Sequence, residues 1–303
     1  MREPCADLHT HSTCSDGTQT PEEVVAAADF SGVAWLSLTD HDTVDGIQRA
    51  REAIRARDLP VELITGAELS CHSDADGEVH VLAYGFDETD PTVLAHMQDF
   101  REQRHVRLAR MLELLRDLGC PLETEDVLAF CRGESVSRVH VASALARHGY
   151  VANPAEAFRL YLANGAPAYV PRKKYSPETM IPMIHQWGGV AILAHPHYFD
   201  ASEADDAGVE ARLERYVELG IDGFEAWHPH VDKRLKRTVR RLARRHGLVL
   251  SGGSDSHGSW GNRPRVGGCT VGYVYVYELL DRIASSRGRM TGRETRAPGG
   301  CPV

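Results

Sequence analysis

Nine residues able to ligate metal stand inside or just after short apolar runs: His9, His11, Asp16, His41, Glu68, His80, His195, Asp255 and His257. Imidazole and carboxylate are the donors of Zn, Mn and Fe sites that carry out hydrolysis. A series of them, each tied to a predicted strand, implies one common centre and a hydrolase that uses several metal ions. His9 and His11 flank a single residue, so an extended backbone turns both imidazoles to the same side. Asp255 and His257 repeat that spacing after Ser251-Gly252-Gly253, where glycine lets backbone approach a crowded centre. Asp16 sits in the turn Ser15-Asp16-Gly17, in the same loop as the first pair. In Thr39-Asp40-His41-Asp42, His41 is the candidate ligand. Asp40 is placed to orient a ligating histidine or to move a proton, and Asp42 to cap the next helix. Glu68 ends the run Leu63-Ile64-Thr65-Gly66-Ala67, where a carboxylate can bridge two cations. His80 lies within Glu78–Leu82, and His195 closes Ala191-Ile192-Leu193.

The runs that carry these residues are Cys5–Leu8, Val33–Thr39, Val61–Glu68, Glu78–Tyr84, Val190–His195, Gly223–Trp227 and Leu248–Gly252. They are short and rich in Val, Leu and Ile, as buried parallel strands are. Helical stretches fall between several of them. Thr20-Pro21-Glu22-Glu23 reads as an N-cap, a first-turn proline and a capping box. Ser176-Pro177-Glu178 opens another helix, which Gly188-Gly189 ends. Strand–helix alternation with ligands at the strand ends predicts an α/β fold closed into a barrel, with the βα loops converging on one face.

Between about Pro91 and Pro167 the rhythm breaks. Phe100, Leu108, Met111, Leu112, Leu115 and Leu118 recur at helical spacing; Val136–His148 and Ala155–Leu162 read as two further helices. Residues 91–167 are therefore expected to form a helical insertion capping the mouth of a barrel built from 1–90 and 168–287. Residues 288–303 are expected to be a flexible tail.

The chain has 303 residues, 42% hydrophobic and 25% charged, with a formal net charge of -9. That acidity argues against long nucleic acid as a partner. Seven scattered cysteines without a C-x-x-C pair suit free thiols in a reducing compartment. Asp7-Leu8-His9 arrives too early for a signal peptide, and no apolar run is long enough to span a bilayer. A cytoplasmic protein is expected.

Taken in order, Asp7-Leu8-His9-Thr10-His11-Ser12, Ser15-Asp16-Gly17-Thr18, Thr39-Asp40-His41-Asp42-Thr43, Gly66-Ala67-Glu68, Val79-His80-Val81-Leu82, Ala194-His195-Pro196 and Gly253-Ser254-Asp255-Ser256-His257-Gly258 resemble the PHP (polymerase and histidinol phosphatase) family of metallophosphoesterases. The likeness runs from about Ala6 to Gly267. It is strongest to the stand-alone bacterial branch with a helical insert, which dephosphorylates nucleotides such as AMP and 3',5'-bisphosphates. The resemblance implies a distorted (β/α)7 barrel with three divalent metal ions, Mn, Fe or Zn. Carried onto this chain, His9, His11, Glu68 and Asp255 hold the first metal; Glu68, His80 and His195 the second; Asp16, His41 and His257 the third. Two departures stand out. The insert reads Arg138-Val139-His140 where the family usually has Arg-Pro-His, and a histidine, His197, follows Ala194-His195-Pro196.

The expected reaction is hydrolysis of a phosphomonoester on a small nucleotide-like metabolite by a hydroxide between metals. Asp40 and His257 are the candidate catalytic side chains, His257 doubling as a ligand. Arg138, at the start of an insert helix, is the first candidate for the phosphate contact, since a guanidinium fork matches phosphate oxygens. Lys173 in Arg172-Lys173-Lys174, His197, His228 and Arg263 are further candidate substrate contacts. The basic run Lys233–Arg245 carries an apolar stripe of Leu235, Val239 and Leu242, the pattern of an outer barrel helix. Alternative readings are a 5'-to-3' oligoribonucleotide exonuclease or phosphodiesterase, a phosphatase of a specialised biosynthetic pathway, a C–N hydrolase and a non-catalytic metal-stabilised module. The cations expected near the mouth favour an anionic substrate.

Overall fold

The computed structural model describes residues 3–131, 133, 135–171, 175–196, 206–258 and 264–294, without the side chains of 206 and 289–294. Seven strands follow the predicted runs closely: β1 (Cys5–Thr10), β2 (Val33–Leu38), β3 (Glu62–Ser73), β4 (Gly77–Tyr84), β5 (Val190–Leu193), β6 (Gly223–Trp227) and β7 (Val249–Gly252). A two-residue β8 (Val271–Gly272) is added at the edge, giving the order β7-β6-β5-β4-β3-β2-β1-β8. Beyond the strand ends the sheet nearly closes on itself. The His11 N–H donates to the Ser256 carbonyl and the Asp255 N–H to the His9 carbonyl, both at 2.9 Å. The fold is thus the distorted α/β barrel expected.

One strand departs from the parallel expectation. β4 runs antiparallel to both β3 and β5. The β3–β4 connection is a tight hairpin rather than a helical crossover, and a hairpin reverses the chain. Ser70 therefore faces His80 in register. The first half of β4 lies where the parallel strands end, so His80 reaches the same face from the opposite chain direction.

The helices begin where local chemistry provides a cap. α1 (Pro21–Ser31) starts with Thr20 accepting from the Glu23 N–H, Glu23 answering at the Thr20 N–H, and Pro21 in the first turn. α2 (Asp45–Arg57) follows β2 and has no side-chain cap. Asp42 does not cap it, contrary to expectation; its carboxylate is turned to Ser70 and Arg104.

α3 (Pro91–Asp117) is capped by Asp90 on the Thr92 N–H. Its apolar stripe serves two cores. Val93, Met97 and Phe100 pack with Phe86, Trp187 and Ile184 of the barrel, while Leu108, Met111, Leu112 and Leu115 pack with Val127, Val141, Leu145 and Leu162 of the insert. Burying each such side chain contributes about 1.5–3 kcal/mol, so one helix welds the insert to the barrel. Leu118, expected on this stripe, is exposed just past the helix end. Within the insert, α4 (Thr124–Leu128) and α5 (Arg138–Arg147) precede the short α6 (Pro154–Ala157). α6 runs into one π-helical turn at Phe158–Leu162, in place of the regular helix expected there.

α7 (Pro177–Gln186), α8 (Asp206–Glu218) and α9 (Lys233–His246) line the outside of the barrel's second half. α9 buries Leu235, Val239 and Leu242 as expected, and turns Arg241 and Arg245 to Glu210 and Glu214 of α8. α10 (Tyr273–Glu294) continues through Gly288 into the segment expected to be a tail; an isolated helical glycine costs only about 1 kcal/mol. The rest of that segment, with Cys301, lies outside the described residues. Cys5, Cys14, Cys71, Cys120, Cys131 and Cys269 are free thiols. Among the described residues no helix is long and apolar enough to cross a membrane.

Candidate metal centre

Leu8 of β1 lies in the apolar core, and the strand, irregular in register between Asp7 and Thr10, ends with His9 and, just beyond it, His11 fully buried. Asp7 locks this strand to the segment after β7. It accepts from the Ser254 N–H at 2.8 Å, the Ser254 hydroxyl at 2.6 Å and the Gly267 N–H at 2.8 Å. Gly253 is required here, because an added Cβ would lie 2.3 Å from the His9 nitrogen. Asp255 and His195 both adopt left-handed backbone, with φ of 51° and 26°. Such conformations cost about 1–3 kcal/mol and persist where surrounding contacts impose them, often at functional sites.

Five imidazoles converge on Glu68, which is fully buried. Its Oε1 lies 2.7 Å from His195 Nε2 and 2.8 Å from His80 Nδ1. Its Oε2 lies 3.0 Å from His41 Nδ1 and 3.2 Å from the Nε2 atoms of both His9 and His11. Asp255 Oδ1 is 3.1 Å from His11 Nε2 and 3.5 Å from His9 Nε2. On the far side, His257 Nε2 stands 3.3 Å from Asp16 Oδ1. Among the described residues four groups have donor atoms mutually within 4.8 Å: His11, Asp16, His41 and His257; His9, His11 and Asp255; His9, Glu68 and His195; and His41, Glu68 and His80. All nine residues picked out from the sequence fall in them. His41 joins Glu68 and His80 as well as Asp16 and His257, a wider reach than the ligand set carried from the family.

These residues fit divalent cations. His9 Nε2, both nitrogens of His11 and His41 Nδ1 are buried and, among the described residues, complete no hydrogen bond. Lone pairs and carboxylate oxygens this crowded need positive charge between them. The protonation balance shows the same demand. Burial opposes charge on Glu68, yet the imidazoles of His41, His80 and His9 hold its carboxyl well below the usual range. Burial also opposes charge on His11, yet Asp255 and Glu68 hold it up at about 10. Asp255 is likewise held low by its histidine neighbours against burial.

Outer partners set the imidazole orientations. His257 Nδ1 lies 2.9 Å from the Asp255 carbonyl, which can only accept, so Nδ1 donates there and Nε2 is turned toward Asp16. Glu225 was not picked out from the sequence. It is fully buried in β6, with Oε1 3.0 Å from His9 Nδ1 and Oε2 accepting the His195 N–H at 2.7 Å. A carboxylate at the one inward position of Phe224-Glu225-Ala226 was the available signal.

Two expected contacts change meaning, and a third keeps its place. Asp40, expected to orient a ligating histidine or to move a proton, is buried and accepts from the Ser12 N–H (2.7 Å), the Ser12 hydroxyl (2.6 Å) and the Ser15 hydroxyl (2.6 Å). It shapes the loop that carries Asp16. His228, expected to touch substrate, is enclosed. Its Nε2 meets Asp255 Oδ2 at 3.3 Å and its Nδ1 accepts the His230 N–H. Arg138 does face the centre. It lines a hollow of about 140 Å³ with Asp16, His41, His80, Arg104 and Arg107. Its guanidinium packs over Tyr169 and Phe158, donates to the Leu162 carbonyl and lies 3.5 Å from Glu78. Lys173, His197 and Arg263, with Arg172 and Lys174, lie outside the described residues.

A match to the PHP domain spans residues 7–139. The 5'-3' exoribonuclease of Haemophilus influenzae is 36% identical over 251 residues, 83% of this chain and 89% of the relative. The chain belongs to the PHP family. The 3',5'-nucleoside bisphosphate phosphatase of Chromobacterium violaceum is 34% identical over 271 residues, 88% of this chain and 90% of that PHP relative. Among solved structures, a Bifidobacterium adolescentis protein provisionally assigned as a metal-dependent phosphoesterase superposes with a TM-score of 0.80 at 29% identity. The match covers 93% of this chain and 98% of the other. This PHP protein is a metal-dependent phosphoesterase.

Proposed function

We propose that the protein removes a phosphate from a small nucleotide-like metabolite, a monophosphate such as AMP or a 3',5'-bisphosphate, at a centre of three divalent metal ions. The carrying observation is the hollow in which Arg138 faces Asp16, His41 and His80. It sets a guanidinium fork against the cluster, the pairing a phosphate dianion requires. His9, His11, Glu68 and Asp255; Glu68, His80 and His195; and Asp16, His41 and His257 would hold the ions. Bound there, Mn, Fe or Zn supplies charge neutralisation for the phosphoryl oxygens and lowers the pKa of water toward neutrality.

The chain's own residues do the rest. Arg138, steadied by Tyr169 and the Leu162 carbonyl, binds the phosphate. Glu225 orients His9 and His195. Asp40 keeps Asp16 on the rim through Ser12 and Ser15. His257 donates its Nδ1–H to the Asp255 carbonyl and keeps Nε2 for the centre.

A panel of phosphorylated metabolites, assayed with Mn2+-reconstituted protein of known metal content, tests the reading. Release of phosphate from AMP or a 3',5'-bisphosphate, with about three ions per chain, is the expected result. An inert panel, or at most one bound ion, removes it. The Haemophilus relative favours a second reading, exonucleolytic cleavage of short RNA. Stepwise release of mononucleotides from a short 5'-phosphorylated RNA, faster than phosphate release from AMP, would establish that reading instead.

A further inference from the structure

We infer that Arg104, on insert helix α3, is a positioning residue of the metal centre: it holds the His41–Asp42 loop in the shape that presents His41 to Glu68 and Asp16. The inference rests on the reading that His41 binds a cation.

Arg104 is buried where the insert meets the barrel. Its Nε donates to Asp42 Oδ2 at 3.2 Å and Nη2 donates to the same oxygen. Its Nη1 donates to the Val136 carbonyl at 3.0 Å, just before α5 and Arg138. The other face of the Asp42 carboxylate is taken by β3. The Ser70 N–H reaches Oδ1 at 2.7 Å and the Ser70 hydroxyl reaches Oδ2 at 3.1 Å. Ser70 lies two residues beyond Glu68, on the same side of the strand. The loop is gripped at its backbone as well. The Asp42 N–H donates to the Glu68 carbonyl at 3.0 Å, and the Ser135 hydroxyl of the insert donates to the His41 carbonyl at 3.0 Å.

Asp42 pays for this shape with left-handed backbone at φ 55°. Such a residue relaxes when the contacts that impose it are removed, and His41 is its immediate neighbour. A buried ion pair is also a poor device for stability alone, since well-packed apolar residues often serve as well. What the pair supplies is directional: three guanidinium nitrogens fix the carboxylate of one element and the carbonyl of another. Lysine, a point charge, cannot do both.

The test uses the full chain, metal-free and then titrated with Mn2+, with free Mn2+ followed by electron paramagnetic resonance and phosphatase activity measured alongside. In Arg104→Met, the free Mn2+ that half-saturates the weakest-held ion should rise about 10- to 100-fold. The kcat at saturating Mn2+ is read separately, because Arg104 also lines the phosphate hollow. Asp42→Asn should give the same rise. The double variant should exceed neither single by more than about threefold, because both remove one linkage. Arg104→Lys should fall between wild type and Met, and stands in if the Met variant does not fold. Variants that melt lower when metal-free yet keep wild-type Mn2+ affinity overturn the proposal, as do effects that multiply in the double variant. A wild type that binds no Mn2+ overturns the metal reading and this inference together.

Discussion

Arg138→Ala probes the hollow most directly. The guanidinium has five N–H donors. In this structure the Leu162 carbonyl and Asn164 Oδ1 engage Nη1, while Nη2 faces Glu78 at 3.5 Å. Among the described residues the remaining donors have no partner, which leaves them for a phosphate. Hydrogen bonds to charged groups contribute about 1.5–3 kcal/mol net. Glu78 pulls the expectation toward the lower half, since the guanidinium already sees a carboxylate before substrate arrives. A loss of about 10- to 50-fold in kcat/KM follows. The fold should survive, because Arg138 occupies the first turn of α5, where alanine is well tolerated. Bound metal per chain should be unchanged, since arginine is not a ligand. Steady-state kinetics on the best panel substrate, with metal content measured on the same sample, is the assay. An alanine variant within about threefold of wild type refutes the phosphate contact and returns the role to Arg107 or to the 172–174 segment.

The remaining predictions address the centre and the core. Glu68→Ala or Asp255→Ala should lower kcat by at least ~10³-fold at saturating Mn2+; a variant that keeps most of its turnover would move the centre elsewhere. Glu225→Gln leaves the His9 Nδ1–H and the His195 N–H sharing one amide oxygen, so Mn2+ affinity should fall about 10- to 100-fold in chelator competition. Affinity within twofold of wild type would deny Glu225 that role. Burial pushes the Cys14 thiol up to about 12, with Asp40 adding to the rise. The thiolate therefore exists only near and above that pH, and a disulfide reagent at pH 8 should leave Cys14 intact in folded protein while modifying it after denaturation. Rapid labelling of Cys14 in the folded state would contradict its enclosure.

The strand ends, the capped start of α1 and the nine clustered residues are legible in the sequence because each follows from near neighbours. Alternation puts His9 and His11 on one side, Thr20-Pro21-x-Glu23 closes its own cap, and glycine before Asp255 marks a crowded approach. Direction and pairing are different. The same alternation in Glu78–Tyr84 serves a parallel or an antiparallel strand, so only the assembled sheet turned β4 around and brought His80 in against the chain direction. Asp42 reads locally as a cap, but Arg104, 62 residues away, binds it instead. Glu225 reads as an unremarkable strand carboxylate until His9, 216 residues away, is placed beside it. Asp40 reads as catalytic and His228 as a substrate contact by position, yet burial gives their polar atoms protein partners. Local chemistry determined which residues could act. Long-range packing decided which of them meet, because a buried polar group takes the partner that tertiary structure supplies.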